Sequence, residues 1–149
     1  MEAADIDEMG PIDYVLIEWP ADPPQGEVAP IVLDLVDRGI IHVLDFAVFA
    51  KDAGGDVAAI DFGELPDSAR GLAEFRGASS GVLGEDDIAE AAAAITPGAL
   101  AALIVYENTW AAPFATAVRR SGGQLVASER IHTQAFLAAL DAVEAADAA

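Results

Sequence analysis

The 149-residue sequence contains no cysteine. That excludes disulfides, a thiol nucleophile and a thiolate metal site. Basic residues are almost as scarce: seven Lys and Arg stand against 26 Asp and Glu, a net charge of -19. Nucleic-acid binding relies on Lys and Arg to neutralise phosphates, so this composition argues against it. It also disfavours anionic membrane surfaces. No run is long and apolar enough to span a bilayer. The nearest candidate, residues 88–106, is interrupted by Glu90, Pro97 and Gly98. The acidic start, with Glu2, Asp5, Asp7 and Glu8, offers no basic segment of the kind a secretion signal needs. A cytoplasmic setting is the expectation.

Histidine is limited to His42 and His132, with no metal-binding spacing between them. His42 lies mid-strand among aliphatic residues and reads as an interior or interface side chain. No metal and no cofactor is expected.

Hydrophobic residues make up 54% of the chain, much of the excess being alanine. This points to helix-rich packing in one domain over residues 11–143, between a disordered acidic tail at 1–10 and an acidic tail at 144–149. Residues 12–19 (IDYVLIEW), 40–51, 57–62, 99–108 and 124–131 carry strand-like β-branched and aromatic content. Helices are expected at 28–38, 64–75, 85–95, 109–120 and 133–143, with Thr109 as a cap for the fourth.

Two stretches resemble each other. YVLIEW, then APIVLDLVDRGIIHVLDF after a loop, parallels ALIVYENTW and APFATAVRRSGGQLVASER. Ala29-Pro30 and Gly39 recur 83 positions later as Ala112-Pro113 and Gly122. Each first strand carries a late glutamate, Glu18 and Glu107, before a tryptophan, Trp19 and Trp110. Two interleaved β-α-β units make a ferredoxin-like α+β sandwich. Its expected strand order is 5-1-4-2-3, with an inserted helical pair and a C-terminal helix.

The segments GPIDYVLIEWP, EFRGASSGVLGEDDIAEA and YENTWAAPFATAVRRSGGQLVASERI together resemble an uncharacterised family of small proteins from high-GC bacteria, known only as a domain of unknown function. The resemblance covers residues 9–141. The middle and end are similar, more loosely, to predicted stress-associated membrane proteins, in which a long glycine-rich apolar hairpin stands where GASSGVLG (77–84) stands here. The short form carries no membrane insertion. The resemblance implies the fold, a cytoplasmic setting and no assigned activity.

Chemistry-bearing constellations are few. Gly77-Ala78-Ser79-Ser80-Gly81 is neither a nucleophile elbow nor a phosphate loop. Glu18 and Glu107 suggest a general acid/base pair, but antiparallel neighbouring strands would place them at opposite sheet ends. Asp45, between Leu44 and Phe46, needs a partner, with Arg38, Arg119, Arg120 and Arg130 as candidates. Glu107, Asn108, Thr109 and Trp110 form the most polar strand-to-helix junction, a position where α/β folds host ligands.

The strand at 40–51 is apolar on both faces by strict alternation. Ile41, Val43, Asp45, Ala47 and Phe49 form one row; His42, Leu44, Phe46 and Val48 form the other. The helices of the two units can cover one row only. Ile41, Val43, Asp45, Phe49, His42 and Phe46 are therefore candidates for an oligomer interface, unless the inserted helices cover the second row. The expected function is that of a non-enzymatic, self-associating interaction protein with a stress-related role. The alternative is a small-molecule sensor or enzyme of the dimeric ferredoxin-like kind.

Overall fold

The computed structural model describes residues 8–22, 26–60 and 83–148. Their elements run β1 (Ile12–Trp19), α1 (Val28–Asp37), β2 (His42–Lys51), β3 (Val57–Ala59), α2 (Glu85–Ala94), β4 (Leu100–Glu107), a 3-10 turn (Thr109–Ala111), α3 (Ala112–Arg120) and α4 (Thr133–Ala148). The expected helix at 64–75 and most of GASSGVLG lie outside the described residues.

The four strands form one antiparallel sheet in the order β1-β4-β2-β3. This is the expected 1-4-2-3 sequence of neighbours. The fifth strand is missing from it. Residues 124–131 form no ladder with the sheet, so among the described residues β1 is an edge strand. The segment carries little strand pattern beyond Leu125, Val126 and Ile131. Its end is held instead by side chains: Arg130 donates to the Tyr106 hydroxyl at 2.7 Å and pairs with Asp13 at 3.4 Å.

One sheet face packs on α1. Ala29, Val32, Leu33 and Val36, at helical spacing, meet Val15, Ile17, Phe46, Val48, Ala102 and Ile104. Pro30 falls in the first turn of α1, where its missing N–H costs nothing. The opposite face packs on α2. Ile88, Ala91, Ala92 and Ile95 cover Phe49, Ala101, Leu103 and Leu16.

Electrostatics hold α2 at both ends. Glu85, Asp86 and Asp87 sit in its first turn, and the Asp87 carboxylate accepts the Gly84 N–H at 3.0 Å. At the other end the Lys51 ammonium, on β2, donates to the carbonyls of Ala92 (3.0 Å) and Ile95 (3.2 Å). The inserted helix thus covers the face that strict alternation left open.

A β-bulge corrects the row assignment on β2. The register steps from Val43↔Tyr106 to Asp45↔Val105, so Leu44 is an extra residue. Val43 therefore shares a face with Phe46 and Val48, while Asp45 and Phe49 share the other. Val43, Asp45, Phe46 and Phe49 are all buried within the protomer. They belong to the core and offer no surface to a partner. Ile41 is half-buried, and the His42 side chain, 62% exposed at the strand start, is not interior.

Gly39 and Gly122 close α1 and α3 in the same way. Both take positive φ, 71° and 88°. Gly39 N–H donates to Val36 O and Gly122 N–H to Arg119 O; the next residues, Ile40 and Gly123, reach back to Leu35 and Val118. The repeated glycines thus close their helices alike, although the second unit lacks its last strand. Gly10 is buried, and α4 continues through residues 144–148.

Candidate functional site

The polar junction after β4 is organised by backbone demands. Glu107, 8% exposed, accepts the Gly10 N–H at 2.8 Å through Oε2. Its Oε1 lies 3.8 Å from His42 Nδ1. Asn108 donates through Nδ2 to Pro11 O (3.0 Å) and Asp13 Oδ2 (2.9 Å), while its own N–H meets Pro11 O at 2.8 Å. Trp110 is 66% exposed; its indole N–H donates to Asn108 Oδ1 at 3.3 Å and its backbone N–H to Ile40 O at 3.1 Å. Thr109 opens the 3-10 turn rather than capping α3, whose cap position is Ala111. The Thr109 hydroxyl is buried with no hydrogen-bond partner among the described residues.

The two repeated glutamates do the same job at opposite ends of the sheet. In the β1–β4 register, Ile12 lies opposite Glu107 and Glu18 opposite Ala101. Glu18 accepts the Thr96 N–H at 2.7 Å and the Thr96 hydroxyl at 3.1 Å. Each carboxylate, late in one strand, receives a backbone N–H from the chain entering the neighbouring strand. These charge-assisted bonds fix strand entry. They do not converge on a reacting atom, so an acid/base pair is not assembled.

Asp45 also serves the backbone. Its Oδ1 accepts the Phe46 N–H at 2.8 Å and its Oδ2 the Leu83 N–H at 2.9 Å. No arginine among the described residues is its partner. The bulge turns this carboxylate toward the α2 face, where it ties down the chain leading into α2. Among the described residues no group of His, Asp and Glu is placed to hold a metal ion.

Two grooves flank β1. The first, about 480 Å³, lies between α2 and β1, with Ile12, Tyr14, Leu16 and Leu103 on its floor and Asp87 and Glu90 at its side. The second, about 650 Å³, lies between α3 and residues 124–130. It starts at the junction itself: Asp13, Asn108 and Trp110 form one end, and Phe114, Val118, Leu125, Arg119 and Arg130 line the rest. Of the four junction residues, Asn108 and Trp110 reach this groove; Glu107 does not line it. Sequence reasoning missed Arg119 and Arg130 as groove residues, because their approach depends on the path of residues 124–131.

A family model described as a family of unknown function (DUF6325) matches residues 8–147. The chain belongs to this family. No curated protein matches the chain, and no solved structure matches it. For this DUF6325 member, function is therefore argued from the surfaces themselves. Among the described residues no helix is long and apolar enough to cross a membrane.

Proposed function

We propose that this protein is a non-enzymatic interaction module that works by associating with itself. The observation that carries the reading is α4. This helix has 16 residues and none of them is buried. Phe136, Leu137, Leu140 and Val143 form an apolar stripe with exposures of 41–59%. A helix of this length is marginal alone in water and draws its stability from packing its apolar face. The Glu18 and Glu107 carboxylates are occupied by backbone N–H groups, which agrees with a structural rather than catalytic use of the acids.

A second reading, a small-molecule binder, is favoured by the groove between α2 and β1. Its apolar floor beside Asp87 and Glu90 suits a compact ligand. Native mass spectrometry of the purified protein separates the two. The interaction reading expects integral multiples of 15.3 kDa with no added mass. A monomer carrying a stoichiometric small molecule would replace it with the second reading.

A further inference from the structure

We propose that α4 of one copy docks into the groove between α3 and residues 124–130 of a second copy, and that the exchange is reciprocal. The proposal rests on the self-association reading and names the surface that performs it.

The two surfaces complement each other in polarity. The groove exposes Trp110 (66%), Phe114 (67%) and Leu125 (58%), and α4 exposes its stripe of four. They complement each other in charge as well. The only ionisable residues on α4 are acids: Asp141, Glu144 and Asp147. Asp141 and Glu144 follow Leu137 and Leu140 by one turn each, so they flank the stripe. The groove carries Arg119 and Arg130. These are two of only seven basic residues in the chain. The carboxylate that also lines the groove, Asp13, is held by Asn108 and Arg130.

The area is sufficient. A large aromatic side chain presents roughly 150–250 Å² and aliphatic ones somewhat less. At the observed exposures the seven groove and stripe residues leave on the order of 700 Å² of apolar surface per copy. Stable interfaces of standard size bury about 600–1,000 Å² from each partner. A reciprocal, two-fold arrangement uses helix and groove of both copies and leaves neither surface open for further growth. Within one copy no α4 residue lines the groove, and the two sheet faces already carry α1 and α2.

The absence of cysteine makes the test direct. Phe114→Cys and Leu140→Cys, both at exposed positions, are prepared as separate proteins, one isotope-labelled, then mixed and oxidised at 0.15 M salt. The expected product is the mixed disulfide dimer, and Leu140→Glu should weaken self-association roughly tenfold or more while leaving the circular dichroism spectrum unchanged. A Phe114→Cys/Leu140→Cys double variant that closes within one chain, at monomer mass, would show α4 folding back on its own groove and overturn the proposal. A dimer that forms with unchanged affinity in Leu140→Glu overturns the docking mode but leaves self-association standing. A wild-type chain that is monomeric throughout overturns both.

Discussion

Replacing Gly10 by alanine tests how the N-terminal lead-in is locked to the β4 junction. A Cβ built on Gly10 would lie 3.0 Å from the Asn108 carbonyl carbon and 3.2 Å from the Ala112 nitrogen, and would overlap the Asn108 carbonyl oxygen. All three are backbone atoms, so no side-chain rotation relieves the clash. Gly10 and Pro11 must shift instead. The shift strains the 2.8 Å bond from Gly10 N–H to Glu107 and the 2.8 Å bond from Asn108 N–H to Pro11 O. Hydrogen bonds to charged groups contribute about 1.5–3 kcal/mol each, and overpacking costs about 1–3 kcal/mol. The reduced entropy of the unfolded chain returns about 0.4–1 kcal/mol. The net expectation is a loss of about 2–4 kcal/mol. In urea, with a slope of about 2 kcal/mol/M, the midpoint falls by about 1–2 M. Gly54→Ala is the control: its nearest neighbour would be the Asp52 carboxylate at 3.4 Å, an ordinary contact. All curves need one protein concentration, because self-association adds to apparent stability. A Gly10→Ala midpoint within error of Gly54→Ala would refute the packing argument.

Other perturbations follow from single features of the fold. Gly39→Ala and Gly122→Ala each meet open space but force a side chain into positive φ, so each should cost about 1 kcal/mol; equal losses in chemical denaturation support the repeat, and negligible loss at both contradicts it. Asp45→Ala removes the carboxylate that accepts the Leu83 N–H and one bond from the Phe46 N–H. The cost should be about 1–3 kcal/mol, with faster hydrogen exchange at Leu83; unchanged exchange there would show that the carboxylate does not hold this segment. With a net charge of -19, the protein should leave the fluorescence anisotropy of labelled duplex DNA unchanged at micromolar concentration. Salt-sensitive binding would contradict the electrostatic reading.

The glycine-closed ends of α1 and α3 and the first-turn proline of α1 were legible because they depend on local chemistry: glycine where φ must be positive, proline where no N–H is needed. The strand order 1-4-2-3 followed from the repeat. The faces of β2 were not legible. Period-2 alternation assumes a regular strand, and the extra residue Leu44 has no local signature that distinguishes it from its apolar neighbours. That one residue reassigned Val43 and Asp45 to opposite faces. The cover on the second face was written in the spacing of Ile88, Ala91, Ala92 and Ile95, but two of these are alanines, and small side chains mark a buried stripe weakly. Glu18 and Glu107 stood out by repetition. Their role as acceptors for Thr96 and Gly10 emerges only from the strand register. Arg130 reaches Asp13 and Tyr106 across a gap in sequence that no spacing rule spans.

Sedimentation velocity of the wild-type chain at 0.01 M and 0.15 M salt tests self-association most directly. Like-charged copies of -19 each repel over a Debye length of roughly 30 Å at the lower salt and about 8 Å at the higher. Apolar docking between α4 and the groove is therefore expected to strengthen as salt rises. The account predicts a species of twice 15.3 kDa at 0.15 M salt and micromolar concentration, with weaker association at 0.01 M. A single 15.3 kDa species under both conditions would contradict it.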